Sequence, residues 1–382
     1  MGLFDKLGKQ KKETAVTRSR LAPSPLNGFL SSSSLREADL RLYDSMRESI
    51  PIIDAALNMS VRLCGGFALK GDSEAATAAL KRFKETVKTG GAGVGLDAFL
   101  SAYLNTLLTY GNAVAEIIPT ADSQVCALYV ADLKNLEVCE KDGGMNVEIK
   151  VKEPFGSRKP SYPSLITFTA LEPPAGKAVG VSVLRGLPFV SRILLNVFET
   201  MGRNWEKAGD VRYAVTYKPG NDPLDKAYAK ERAISIAEEW SRAMNSHDGG
   251  DFVAVGDVSV KVIGSESPIP DSSVPVRQLL EQIVAKMGVP PYILGLSWST
   301  TERMSYEQAD IFTSMLTDYR RTVTPALEKI ANTFLRLSGI GGNAHVEWDN
   351  INLKDELCEA QSAYYRAHAA SLTQNDIGKG GQ

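Results

Sequence analysis

The chain is 382 residues long and carries 43 Lys+Arg against 45 Asp+Glu, a formal net charge of −2, with 43% hydrophobic residues. That length predicts two to three domains or one elongated multi-part chain, with apolar content enough for a sizeable core. The balanced charge argues against a dedicated nucleic-acid wrapper, and no apolar run approaches the roughly 18–20 residues of a membrane helix.

Residues 1–34 read as a basic, Ser-rich arm, with Lys6, Lys9, Lys11, Lys12, Arg18 and Arg20 against Asp5 and Glu13 in its first part. It is either a solvated tail or an arm that grips a neighbouring subunit. It shows no signal-peptide apolar region, and Lys6 breaks the myristoylation pattern after Met1-Gly2. Leu35–Ser49 and Ile52–Leu63 read as helices, the second opened by Pro51 and closed by Gly65-Gly66. Ala75–Val87 is a further amphipathic helix. Gly90-Gly91-Ala92-Gly93-Val94-Gly95 lacks the Lys-Ser/Thr pair of a phosphate loop and follows a helix, so a flexible hinge before the helix Leu96–Tyr110 is expected.

From Ala113 to Phe168 the period changes to two. Val114–Ile118, Val125–Val130, Leu136–Glu140, Val147–Val151 and Ser164–Phe168 read as short strands, separated by turns at Asp142-Gly143-Gly144 and across Pro154–Pro163. This predicts a small mixed β region rather than a parallel dinucleotide-binding sheet. A long helix follows from Leu187 to Lys207, with Val190, Leu194, Val197, Met201 and Trp205 on an apolar stripe and Arg192, Glu199, Arg203 and Lys207 opposite. Its length is about 30 Å. The stripe is read as core or subunit interface.

Tyr213–Tyr217 is a strand and Asp225–Asn245 a charged helix. Phe252–Val255 and Val258–Ile263 suggest a hairpin around Gly256-Asp257. Gly264–Ser273 is polar and proline-broken, hence a loop. Val274–Met287 is helical up to Gly288-Val289-Pro290-Pro291. Ser299 and Glu302 have capping-box spacing and open a helix to about Val323; Thr324-Pro325 restarts another to Leu337. A strand Ala344–Trp348, a helix Leu353–Leu372 and a frayed tail from Asn375 complete the chain.

No catalytic pattern stands out. Cys64, Cys126, Cys139 and Cys358 are separated by 62, 13 and 219 residues, which fits neither a zinc site nor a dense disulfide framework, so free thiols in a reducing compartment are expected. His247, His345 and His368 lack partners at metal spacing, and Gly295-Leu296-Ser297-Trp298-Ser299 lacks the second glycine of a nucleophile elbow. Glu238-Glu239 lies in the charged helix, where a solvated face is the default. No cofactor, metal or enzymatic activity is expected.

Several segments nonetheless resemble one family. They are Leu184-Arg185-Gly186-Leu187 before the long helix, Arg277-Gln278-Leu279-Leu280-Glu281-Gln282-Ile283 before Gly288-Val289-Pro290-Pro291, and Leu294 through Ser305. Trp348-Asp349-Asn350-Ile351-Asn352-Leu353, Asp355-Glu356 and the joint Tyr110-Gly111-Asn112-Ala113 add to them, and the opening Gly2-Leu3-Phe4-Asp5 agrees weakly. Over about residues 35–372 the chain resembles the portal proteins of tailed bacteriophages and prophages, most specifically across 274–305.

The resemblance implies an elongated α+β subunit with a mixed α/β wing, a small β-rich clip, long stem helices and a reduced helical crown. It implies a ring, usually dodecameric, at one capsid vertex, passing double-stranded DNA without sequence specificity. Implied partners are the terminase large subunit, head-completion or adaptor proteins, and the major capsid and scaffolding proteins, with no membrane. The implied location is the virion, and the host cytoplasm during assembly. On this chain the wing takes 35–130 and 211–263, the clip and adjoining stem region 131–183, the stem helix 184–210, and a channel-facing tunnel loop 264–273. Lower wing and crown helices take 274–372, between the arm 1–34 and the tail 373–382. The tunnel loop offers Ser265, Glu266, Ser267, Pro268, Ile269, Pro270 and Asp271, with no Lys or Arg. Arg192, Arg203 and Lys207 are the stem's DNA-facing candidates, and intersubunit salt bridges are their equal alternative. A near-neutral chain suits a duct, because every phosphate a cation neutralises releases counterions and tightens the grip on DNA.

Two other readings stay open: a different virion component such as a head–tail adaptor, and a phage DNA-processing enzyme. The latter needs an acidic metal cluster or a Walker lysine, and neither is visible in the sequence.

Overall fold

The computed structural model describes residues 37–120, 125–209, 212–245, 257–263, 271–296, 298, 301–351 and 353. The fold is α+β, and the chain divides into two compact units, residues 1–189 with 284–382, and residues 190–283.

In the first unit, α1 (Glu37–Ser49), α2 (Pro51–Cys64), α3 (Glu74–Thr86) and α4 (Leu96–Tyr110) fall close to the expected helices. Ser73 caps α3, its hydroxyl accepting from the Ala76 N–H at 3.1 Å. The α4 helix is apolar on most of its circumference, and Leu96, Phe99, Leu100, Tyr103, Leu104, Leu107 and Leu108 are all buried. Such a helix has to sit inside a core rather than on its surface. The Tyr103 hydroxyl is satisfied there, donating to the Ala113 carbonyl at 3.2 Å and hydrogen-bonded to the Thr169 hydroxyl at 2.8 Å.

The strands of this unit are, in chain order, β1 (Phe67–Gly71), β2 (Lys88–Thr89), β3 (Gly93–Val94), β4 (Asn112–Pro119), β5 (Val125–Val130), β6 (Leu136–Lys141), β7 (Asn146–Glu153), β8 (Gly156–Arg158) and β9 (Ile166–Ala170), with one more near the end of the chain. Five of them form one sheet in the order β3-β2-β5-β4-β9, in which only the β2–β5 pair is parallel. The strands β6, β7 and β8 form a separate three-stranded antiparallel sheet. Thus, of residues 131–183, Leu136–Arg158 build their own sheet and Ile166–Ala170 return to the larger one.

Helix α4 joins β4 through Gly111, which is left-handed at φ 77°. A Cβ there would lie 2.3 Å from the Val181 carbonyl carbon, so only glycine fits. Asn112, fully buried, donates to the Gly180 carbonyl at 3.3 Å and accepts from the Gly180 N–H at 2.9 Å. The joint quoted in the resemblance is therefore a backbone lock.

The unit is completed by α9 (Glu302–Leu337) and a closing strand (Ala344–Trp348) antiparallel to β1, with Phe67 opposite Trp348. Phe334 of α9 stacks on Phe83 of α3 at 4.1 Å between ring centroids.

In the second unit, α5 (Leu187–Gly209) enters from the first, β10 (Arg212–Lys218) pairs antiparallel with β11 (Asp257–Ile263), α6 (Pro223–Ala227) and α7 (Ala229–Asn245) lie between them, and α8 (Ser273–Met287) leads out. With these, the strand Ala344–Trp348 is β12. Among the described side chains of residues 215–243 and 257–261 none is buried.

Several expectations are corrected. The glycine run 90–95 is not a free hinge. It closes a tight β2–β3 turn, held by Gly95 N–H to the Val87 carbonyl at 2.8 Å and Gly90 N–H to the Leu128 carbonyl at 3.0 Å. The short strands β1 and β8 were not anticipated. The charged helix 225–245 is broken at Tyr228 into α6 and α7. The described partner of Val258–Ile263 is β10; Phe252–Val255 lies outside the described residues. Thr301 caps α9, accepting from the Met304 N–H at 3.4 Å, where Ser299 was expected.

Finally, α9 runs unbroken through Pro325. Phe312, Leu316, Tyr319, Val323, Leu327, Ile330 and Leu335 are buried on one stripe that crosses the proline. That burial outweighs the roughly 3 kcal/mol an interior proline costs a helix. Leu353–Leu372 lies outside the described residues apart from Leu353.

Candidate functional site

Helix α5 carries the stem candidates. Arg192 and Arg203 are both exposed on it, eleven residues apart and hence on one face, and Lys207 follows one turn after Arg203. Arg203 does not stand alone: its guanidinium pairs with Glu199 one turn earlier. The anticipated stripe is covered unevenly. Leu187 and Leu194 are buried and Val190, Val197 and Met201 are half-buried, but Trp205 is 64% exposed. Beside it lie Leu195 at 39% and Phe198 at 45%, a second row that the sequence reading missed. The signal was present: 195, 198, 202 and 205 repeat at three, four and three residues.

Of the loop candidates, Ser265, Glu266, Ser267, Pro268, Ile269 and Pro270 lie outside the described residues. Asp271 is exposed, and its Oδ1 accepts from the Ser273 N–H at 2.8 Å at the start of α8. That hydrogen bond holds its carboxyl below the usual range. The structure thus gives Asp271 a turn-forming role and brings it to none of the stem residues by any described contact.

The three-stranded sheet carries a second charged cluster. Glu148 on β7 pairs with Lys159 at 2.6 Å, Lys141 at 3.0 Å and Lys150 at 3.9 Å. Hydrogen bonds from Lys159 and Lys141 pull its carboxyl down to about 2. Lys141 and Lys159, with Lys329 of α9, line an open pocket of about 850 Å³ together with Ile149, Ile166 and Phe168. Lys329 itself is engaged, its Nζ donating to the Ile166 carbonyl at 2.5 Å. At the two ends of this sheet Met145 and Phe155 are almost wholly exposed.

Among the described residues no group of three or more His, Cys, Asp or Glu could hold a metal ion. No described helix is long and apolar enough to cross a membrane. Cys64 and Cys139 carry free thiols. Burial pushes the Cys64 thiol up to about 12, so it stays protonated. His345 is largely exposed on β12, with Asp72 at 3.8 Å and Glu328 at 3.9 Å, as a surface residue is expected to be.

No protein-family profile matches the chain, and no curated protein sequence matches it. Solved structures do. A chain from the neck of an empty gene transfer agent particle, computed with C6 symmetry, is 17% identical; the match covers 87% of this chain and 89% of that one at a TM-score of 0.63. A chain from the neck of the native particle, computed with C12 symmetry, is also 17% identical, over 85% and 89%, at 0.57. A HK97 family phage portal protein from Corynebacterium diphtheriae is 13% identical over 80% and 95%, at 0.42, too loose a match to bear on the fold. The chain shares its α+β fold with the gene transfer agent neck chains.

Proposed function

We propose that this chain is a portal protein: one wall segment of a ring, dodecameric in the capsid, whose axial channel passes double-stranded DNA during packaging and ejection. The observation that carries the reading is the fold shared with particle-neck chains across 85–87% of the sequence. The portal-like segments at 184–187, 274–305 and 348–356 support it independently. In this reading residues 35–130 and 211–263 supply the wing, 131–183 the clip and adjoining stem region, 184–210 the stem helix and 274–372 the lower wing and crown, and the loop 264–273 faces the channel. Its surface docks the terminase large subunit during packaging and a head-completion protein afterwards, with the capsid and scaffolding proteins around it. It works at the virion vertex and assembles in the host cytoplasm. It does this without catalysis and without a cofactor.

Negative-stain images of the purified chain test the ring. Annuli with a central hole are expected; compact monomers with nuclease or nucleotide-hydrolysing activity would overturn it. Deleting Ser267–Asp271 tests the loop. Rings should still form while packaging in a complementation assay fails, and normal packaging would remove the loop from the channel.

A further inference from the structure

Helix α5 leaves Leu195, Phe198 and Trp205 exposed, at 39%, 45% and 64%. Leu195, Phe198, Gly202 and Trp205 recur at the three-four-three spacing of a helix–helix seam, about 15 Å long. A Cβ placed on Gly202 would meet no described atom within 4 Å. The adjoining stripe turns inward, with Leu194 buried and Met201 half-buried. The far flank is charged, with Arg192, Glu199 and Glu206 each seven residues apart.

We propose that Leu195, Phe198, Gly202 and Trp205 form a docking seam for residues 190–283 of a second copy of this chain. This rests on the ring reading and names one of its contact faces. The charges choose the occupant. A flank bearing both signs complements another copy of itself, whereas a DNA face needs uncompensated cations. Here Arg203 already pairs with Glu199.

The state of the second unit points the same way. Among its described residues the sheet consists of the two strands β10 and β11, and a two-stranded ribbon by itself is marginal in water. None of its described side chains over 215–243 and 257–261 is buried. A neighbouring copy brings the same deficit of cover, and packing the two together relieves both. A single glycine inside an aromatic seam lets the helices approach closely at that level.

Two measurements on the full chain decide it. Phe198→Glu combined with Trp205→Glu should weaken assembly at least 100-fold by mass photometry, with the circular dichroism of the wild type retained, because both side chains are exposed in the single chain. Second, p-benzoylphenylalanine at Phe198 is irradiated in a mixture of light and heavy isotope-labelled copies. Mixed-label crosslinks into residues 190–283 are expected. If the double variant assembles like the wild type, or the crosslinks run to DNA or to residues outside 190–283, the seam is overturned. Should the variant lose its fold, the crosslink alone decides. Absence of rings in the wild type would strike the ring reading, while mixed-label crosslinks into 190–283 would still uphold the seam.

Discussion

Arg320 offers the sharpest test of how the first unit is fastened. It is 7% exposed, and its guanidinium donates to three main-chain carbonyls: Cys64 at 3.2 Å, Gly65 at 2.9 Å and Asp349 at 2.6 Å. It also lies over the Trp348 ring, 5.0 Å from the centroid. One side chain of α9 therefore ties the end of α2 to the end of β12. Burial lowers the guanidinium's pKa, but arginine stays charged in proteins. A hydrogen bond from a charged donor contributes about 1.5–3 kcal/mol, and the three share one group and do not add fully. Arg320→Ala leaves the buried Cys64 acceptor and the part-buried Gly65 and Asp349 acceptors without their donor, and we expect a loss of about 3 kcal/mol. Arg320→Lys keeps the charge but cannot span the three acceptors, and about half that loss is expected. The assays are urea unfolding by circular dichroism and hydrogen exchange at Phe67–Gly71 and Ala344–Trp348. A loss of about 3 kcal/mol there accelerates exchange roughly 100-fold. If Arg320→Ala moves neither reading by more than about 1 kcal/mol, the guanidinium is not the fastening and the β1–β12 pair is held by packing alone.

Three further outcomes are expected. Gly111→Ala should cost about 3 kcal/mol or more in urea unfolding, since the new Cβ would meet main chain at 2.3 Å in a left-handed conformation. Pro325→Ala should raise the urea midpoint, by about 1 kcal/mol or somewhat more, because the restored N–H reaches the Arg321 carbonyl while the buried stripe is untouched. Glu148 has a folded pKa depressed to about 2, so its contribution is present above the unfolded value near 4.3 and is lost as pH falls toward 2. The stability gap between the wild type and Glu148→Gln should therefore be widest above pH 5 and close in acid, as read from urea midpoints across that range.

The helices were legible because each carries its period and its ends locally. Ser73 caps α3, Pro51 opens α2 and Gly111 closes α4, and all three features stand in the sequence beside the helix they bound. What escaped notice depends on partners distant in the chain. The five-residue β1 exists because Ala344–Trp348 pairs with it from about 280 residues away, and no local pattern announces that. The β2–β3 turn looked like a hinge because its glycines were weighed without the β5 carbonyl that receives Gly90. Pro325 looked like a boundary because the local rule against interior proline was applied without the buried stripe that overrides it. At the candidate site the charged face of α5 was visible from spacing, but the Arg203–Glu199 pairing that limits its use toward DNA is a matter of side-chain geometry.

Under the proposed ring reading, that pairing bears on why a channel subunit would carry so little sign of its work. In a ring, every residue is multiplied by the copy number. One uncompensated cation per subunit becomes a belt of them at a single height, and each phosphate neutralised adds to the salt-dependent grip on the duplex. Strong binding at one height opposes sliding, so a translocating wall does best with cations balanced by neighbouring anions. Helix α5 fits this requirement: Arg192 and Arg203 share their face with Glu199 and Glu206. The same multiplication acts in the opposite sense on apolar surface. A seam of four residues contributes little to one chain but is repeated at every contact around an annulus, so a unit that fails to close its own core becomes stable through assembly. In that reading the balanced charge of α5 and the exposed described side chains of residues 215–243 and 257–261 are two consequences of one arrangement, in which the functional object is the space enclosed by the copies rather than any cluster of side chains within one.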